Sequence, residues 1–289
     1  MAPSDPITEV DTVALAVRDA VTAAQFFTEA LDFALDPPTS PTRLRVRLGD
    51  ESLVLAERPP GRPAPSDTRS NDLWFQHVAV VVSDMDAAYE RLRATGVDHV
   101  SPVPQRLPDW NPASGGIRAF YFRGPDGHPL ELISYPPGKG DKRWQSTGRT
   151  FLGIDHTAMV VSCTDASLRF YGRGLGLRVT GGSENWGPEQ ERLSGVDGAR
   201  VRITSLRGAH GPGVELLKYL APAIGRPRPS DSGPDDLWHV ETLVTTCDLD
   251  RVVRRLVSTV PGIDVSRLDG AGVVVDDPDG HCVRISEAG

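Results

Sequence analysis

Four times along the chain, a valine-rich run with the character of a buried strand is followed by a stretch whose apolar residues recur every three or four positions, and then by further short strand-like runs. The leading runs are Val10–Val17, Phe75–Val82, Ile154–Val161 and Trp238–Thr245. The helical stretches are Ala20–Leu31, Met85–Ala94, Asp165–Gly174 and Leu249–Ser258, with pairs such as Ala88 and Leu92 or Val252 and Leu256 on one helix face. Closing strands are expected at Leu44–Leu48 and Leu53–Ala56, Ala119–Phe122 and Leu130–Tyr135, Val201–Leu206 and Val214–Tyr219, and Gly272–Val275 and Cys282–Ser286. The recurring unit therefore reads β-α-β-β-β.

The units repeat in sequence as well as in pattern. The run from Val10 to Val17, continuing to Phe26, Phe27 and Leu31, aligns without gaps to the run from Ile154 to Val161, continuing to Phe170, Tyr171 and Leu175. Pro65-Ser-Asp with Asn71-Asp-Leu-Trp74 returns as Pro229-Ser-Asp with Asp235-Asp-Leu-Trp238, and Pro125-Asp-Gly-His128 returns as Pro278-Asp-Gly-His281. The last of these is turn chemistry joining two strands. The pattern divides the chain into an N-terminal domain over 1–136 (modules 1–60 and 72–136), a linker over 137–150, and a C-terminal domain over 151–289 (modules 151–221 and 236–289). Trp144 suggests that the linker docks. One such unit leaves a concave sheet face and an edge open, so units must pair. The expected fold class is α+β, with four βαβββ modules paired into two eight-stranded open cups.

Two strands that are otherwise apolar each carry one histidine at the same place, His77 and His156. The last strands of the same two units carry Glu131 and Glu215 among leucines. A carboxylate there is costly to bury unless it meets a cation or hydrogen-bond donors. Any one of these residues alone reads as an ordinary core or edge residue; two His and two Glu at matching places in two repeats read as a metal site. Mixed nitrogen and oxygen ligands suit one divalent ion, Zn, Mn, Fe, Co or Ni, better than Ca. In unit one the matching positions hold Thr12 and either Ser52 or Glu57, and in unit four Glu241 and Arg284. If units pair in chain order, no cup has four ligands; if the middle units pair, one cup has all four, and that arrangement is favoured. The rival is a cup of units three and four using His156, Glu215 and Glu241, with His239 on the same strand parity as Glu241. Arg284 reads as a neutraliser of Glu241, with binding of an anionic substrate as the alternative. His128 and His281 belong to the repeated turn, His99 and His210 read as loop residues, and Glu184–Glu191 covers the cup mouth or forms a surface loop.

Ile154-Asp-His156 with Phe170-Tyr171 and Leu175-Gly176-Leu177, and Pro125-Asp-Gly-His-Pro-Leu-Glu131, resemble the vicinal oxygen chelate superfamily, which includes glyoxalase I, bleomycin-resistance proteins and extradiol dioxygenases. The resemblance covers nearly the whole chain. It implies that His77, Glu131, His156 and Glu215 hold the metal, and that Glu131 or Glu215 doubles as the proton-transferring base. It also implies a metal-dependent epimerase, isomerase or lyase acting on a small molecule with adjacent oxygens. The alternatives within the family are an Fe(II) ring-cleaving dioxygenase and a non-enzymatic antibiotic-binding protein.

Composition narrows the setting. With 289 residues, 39% hydrophobic and 24% charged, the chain has the make-up of an ordinary globular protein. The 29 glycines and 25 prolines fit many turns and argue against a helical bundle. A net charge of −8 gives no pull toward nucleic acid or anionic lipid. Three cysteines, Cys163, Cys247 and Cys282, form no CxxC pair, and the N-terminus has neither a basic start nor an apolar core, so a cytoplasmic monomer or homodimer is expected. Elemental analysis tests the pairing: His77→Ala and His156→Ala should each empty the same single metal site, whereas chain-order pairing has them empty different sites.

Overall fold

The computed structural model describes residues 8–38, 40–58, 61–223, 225–268 and 272–288. The first seven residues, on which the export expectation rests, lie outside the described residues, as do residues 59–60 and 224 of the proline-rich connectors. Each unit has the expected element order. The first comprises β1 (Thr8–Val17), α1 (Ala20–Leu31), β2 (Ala34–Leu35), β3 (Arg43–Leu48) and β4 (Glu51–Glu57). The second comprises β5 (Gln76–Val82), α2 (Met85–Arg93), β6 (Asp98–His99), β7 (Gln105–Arg106), β8 (Arg118–Arg123) and β9 (Pro129–Ser134). The third has β10 (Phe151–Val160), α3 (Thr164–Ser167, widening into a π-helix over Leu168–Gly174), β11 (Arg178–Trp186), α4 (Pro188–Ser194), β12 (Arg200–Arg207) and β13 (Gly213–Ala221). The fourth has β14 (Val240–Thr246), α5 (Leu249–Thr259), β15 (Ser266–Leu268), β16 (Gly272–Asp276) and β17 (Cys282–Glu287). Asp19, Asp84 and Asp248 cap α1, α2 and α5 by accepting from backbone N–H groups of the first turn.

The strands form two sheets, and each crosses the halves of the chain. One runs β15-β16-β17-β14-β1-β4-β3-β2 and joins units four and one; the other runs β11-β12-β13-β10-β5-β9-β8-β6, with β7 beside β8, and joins units three and two. First strands meet antiparallel at the centre of each sheet, β1 with β14 and β5 with β10. The rival cup of units three and four is thereby overturned: His239 and Glu241 belong with the first sheet, away from His156.

The cores follow the chain instead. Helices α1 and α2 and the valines of β1 and β5 bury one cluster shared by units one and two. The α3 segment and α5 bury a second, shared almost wholly by units three and four. Strand alternation divides the faces: Val78, Val80 and Val82 enter the core, whereas His77, Ala79 and Val81 face the other way.

The remaining sequence repeats are structural. Arg62 binds Asp236 and Asp231 while Arg226 binds Asp72 and Asp67, so the two connectors clasp each other's units. Backbone bonds Leu73 N to Arg226 O (2.9 Å) and Leu237 N to Arg62 O (2.8 Å) complete the clasp. In the Pro-Asp-Gly-His turns, Asp126 accepts from Arg18 N and Asp279 from Ser162 N, tying each turn to the preceding unit. His128 is bonded to Ala16 O at 2.7 Å.

The segment Glu184–Glu191, read as a cover or a loop, is the end of β11 followed by the start of α4; Gly187, at φ 96°, makes the turn and Pro188 opens the helix. His99 sits in the two-residue strand β6 against Tyr89 and Phe120 rather than in a loop. The sequence Arg178–Trp186 has no apolar alternation because most of β11 is exposed. Among the described residues, no helix is long and apolar enough to cross a membrane.

Candidate metal centre

The pairing of β5 with β10 sets Ala158 opposite His77 and His156 opposite Ala79, so both imidazoles come to one spot on the concave face of the second sheet. Parallel pairing of β9 with β5 brings Glu131 beside Ala79, and of β13 with β10 brings Glu215 beside Ala158. The side chains converge. His77 Nε2 lies 3.1 Å from Glu131 Oε2, and His156 Nε2 lies 3.4 Å from Glu131 Oε2 and 3.5 Å from Glu215 Oε2. Ligand atoms of His77, Glu131 and His156 all fall within 4.8 Å of one another. One imidazole N–H cannot satisfy two carboxylates at once, so two nitrogens and two oxygens aimed at a common point fit a divalent ion of the first transition row. The four sequence-selected residues are thus brought together.

Burial alone would push the carboxyl of Glu131 up and the imidazole of His156 down. Mutual contact outweighs both effects: hydrogen bonds from His156 and His77 lower Glu131, and Glu215, Asp155 and Glu131 hold His156 well above its ordinary value. Ser205 Oγ–H fixes Glu215 Oε1 at 2.7 Å across the β12–β13 pair. His77 is steered by ring contacts with Tyr121 (4.8 Å) and Phe75 (5.7 Å), and its Nδ1 has no hydrogen-bond partner among the described residues.

Asp155 is the residue that sequence reasoning passed over. Adjacent strand residues normally point to opposite faces, but an irregularity in the ladder between Ile154 and His156 lets the Asp155 carboxylate reach its neighbour's ring. It accepts from His156 Nδ1 (2.8 Å), Arg207 Nη2 (2.7 Å), Trp144 Nε1 (3.0 Å) and Tyr135 OH (3.0 Å). Burial would raise its pKa, but the His156 and Arg207 contacts pull it far below the carboxylate range. A carboxylate on the far ring nitrogen leaves Nε2 as the free ligand atom. Gly213 makes room for this: a Cβ there would sit 3.0 Å from the Arg207 guanidinium. Trp144 belongs to the linker, which docks as a 3₁₀ turn over Lys142–Gln145. Gly153 allows the indole to close in, since a Cβ there would lie 2.8 Å from it.

The cluster opens into a cavity of about 1080 Å³. Leu107, Tyr121, Leu193, Val201, Leu217 and Tyr219 give it one apolar stretch of wall, closed by α4 and the loop after β7. Glu51, Arg143, Arg178 and Arg207 give it a charged stretch, closed by the linker.

The first sheet lacks this arrangement. Thr12 and Ser52 bond to one another, and Glu57 accepts from the α1 N-terminus at Ala20. His239, Glu241 and Cys282 do gather within 4.8 Å; the sequence set His239 beside Glu241 but did not suggest Cys282. Two of the three are unsuited as ligands, however. Arg284 binds both oxygens of Glu241 (3.0 and 3.1 Å), as its reading as a neutraliser requires. Burial and Glu241 push the Cys282 thiol up to about 12, so it is no thiolate ligand.

A family model described as Glyoxalase/Bleomycin resistance protein/Dioxygenase superfamily matches residues 9–132 and 153–285. A 2-epi-5-epi-valiolone epimerase of Actinomyces sp. is 41% identical over 70 residues, which cover 24% of this chain and 37% of that protein. The match thus spans little more than a third of the relative. Glyoxalase I from Zea mays superposes with a TM-score of 0.63 at 16% identity, covering 98% of this chain and 93% of its own. A putative dioxygenase from Bacillus subtilis gives 0.57 at 13%, covering 97% and 85%. At such identities the likeness is one of fold.

Two outcomes follow. Asp155→Asn should weaken divalent-metal affinity by about 10–100-fold, measured by competition with a chromophoric chelator. Glu241 has its pKa lowered from 4.5 to about 2 because its hydrogen bonds from His239 and Arg284 outweigh the opposing effect of burial, so its stabilisation is complete above pH 4.5 and fades as pH falls toward 2. Urea unfolding of Glu241→Gln should therefore differ most from the parent above that window, with the gap closing below it.

Proposed function

The chain belongs to the Glyoxalase/Bleomycin resistance protein/Dioxygenase superfamily, and from that premise we propose that it is a divalent-metal-dependent epimerase or isomerase acting on a small carbonyl compound with an oxygen on the neighbouring carbon. The observation that carries this reading is the convergence of His77, Glu131, His156 and Glu215 on one point of a large cavity. The epimerase named among the relatives supports the reaction type. The four residues would hold the ion, which when bound supplies Lewis-acid polarisation of a carbonyl oxygen.

The protein's own groups divide the remaining work. Glu215 is the ligand most open to the cavity, its side chain 20% exposed against 5% for Glu131. With Oε1 held by Ser205, Oε2 is the atom that takes the proton from the carbon beside the carbonyl. Glu131 approaches His156 Nε2 at nearly the same distance and is the second carboxylate available to return a proton. Return to the other face of the carbon gives the epimer; return to the adjacent carbon gives the isomer. Leu193, Leu217 and Tyr219 give the cavity an apolar wall against which the carbon skeleton of the substrate can pack.

One observation favours a second reading. The most tightly gathered group, His77, Glu131 and His156, is the two-histidine, one-carboxylate set of oxygen-activating iron sites. Glu215 separates the two, because a fourth protein ligand occupies a position that oxygen would need.

The test is NMR of the metal-loaded protein with a panel of α-hydroxyketones in deuterated water. The α-proton of a substrate should exchange, and Glu215→Gln should slow exchange by about 10²–10⁴-fold. Oxygen uptake with catechols by the Fe(II)-loaded protein, without any proton exchange, would replace this reading by the second.

A further inference from the structure

The charged stretch of the cavity holds an arrangement that the metal centre does not explain. Arg178 on β11 and Arg207 on β12 are directly opposite one another in the antiparallel pair, and both line the cavity. Two like charges in that relation repel, and Asp155 answers only one of them, Arg207. Arg207 is anchored: Nη1 donates to the Asp155 carbonyl and Nη2 to its carboxylate. Arg178 has no such anchor: beyond the backbone ladder, no hydrogen bond or ion pair engages its guanidinium among the described residues.

The acidic groups of the cavity wall answer other partners than Arg178: Asp155 pairs with Arg207 and His156, and Glu131 and Glu215 turn to His77, His156 and Ser205. Asp50, Glu51 and Asp141 gather on Arg143, which reaches all three within 4.0 Å. Glu184, further along β11, is taken by Arg200 and Arg202. His210, on the same rim, is 80% exposed and lies 3.9 Å from Glu9. Beside Arg178 the ladder is irregular between Val179 and Gly181, a distortion of the kind that re-aims side chains next to binding sites. Gly181 has open space around it.

We propose that Arg178 and Arg207 form an anion subsite of the cavity, which takes a carboxylate or phosphate carried by the substrate while its oxygenated carbons face His77, Glu131, His156 and Glu215. The proposal rests on reading the cup as a substrate cavity, and it names the substrate class: an anionic oxygenated compound rather than a neutral sugar or ketone. The pair suits either anion: Arg178 offers its whole fork of N–H donors, and Arg207, held in place by Asp155, adds the N–H groups that those two bonds leave over.

Titration calorimetry tests it with two probes, inorganic phosphate and succinate, on the metal-loaded protein and on protein stripped with a chelator. At least one probe should bind both forms, and the preferred one identifies the anion class. Arg178→Gln should weaken that binding tenfold or more, the loss of charge-assisted hydrogen bonds, whereas Arg200→Gln, a guanidinium paired outside the cavity, should leave it unchanged. Arg178 sits on an exposed edge strand, so its substitution does not threaten the core. Failure of both probes to bind, or equal binding by Arg178→Gln, overturns the subsite. Binding that vanishes with the metal yet ignores Arg178 also overturns it while leaving the metal reading intact. Binding that depends on Arg178 in a protein that takes up no metal keeps the subsite and removes the metal reading.

Discussion

The antiparallel contact between β5 and β10 is the constraint on which the site depends. It is a contact between the first strands of two consecutive units, and its register decides whether two histidines 79 positions apart in sequence face one point or none. Side chains alternate along a strand, so a slip of one residue would turn His77 into the core between the sheets and Val78 into the cavity. The valines on the core face make such a slip costly, because Val78, Val80 and Val82 would all be lost from the packing they share with α1 and α2. Hydrophobic alternation therefore fixes the chemistry as well as the fold.

Burying so many ionisable groups is tolerable only because each is answered. Asp155 is the hub: it ties the ring of His156 to Arg207, to Tyr135 and to the linker indole of Trp144. Through Arg143, stacked 3.9 Å from that indole, the linker also reaches Glu51 in the first unit, whose carboxylate accepts from Ile154 N. The polar contacts behind the ring of His156 run through this one carboxylate, and the short linker reaches it directly, so the linker packs against the site rather than merely joining two halves. Removing one partner from such a buried network leaves a charge unanswered, which costs more than the contact itself is worth.

The two sheets show how one repeat can serve two ends. In the second and third units the matching positions converge as four ligands; in the first and fourth they have become Thr12 bonded to Ser52 and Glu241 paired with Arg284. An arginine at the place of a metal-binding carboxylate satisfies the buried charge of Glu241 internally. The same backbone scaffold is retained in both sheets, with the two-histidine, two-glutamate convergence present in the second.

Much of this was legible in the chain itself. Hydrophobic periodicity gave all four units and their principal helices and strands, because buried faces impose spacing on residues whatever their partners. Matching positions in the repeats singled out His77, Glu131, His156 and Glu215, because one polar residue in an apolar strand is ordinary but the same pair in two repeats is not. The ligand positions favoured middle-unit over chain-order pairing, but periodicity could not choose, since each leaves every unit the same local pattern; the contact of β5 with β10 and of β1 with β14 decides it. Nor could it show Asp155 as a hub or Arg178 opposite Arg207. The first needs a ladder irregularity that turns adjacent side chains to one side, and the second needs the register of an exposed strand that carries no apolar signal. Local spacing records what is buried, whereas convergence of distant side chains is a property of strand order and register, which only the folded chain possesses.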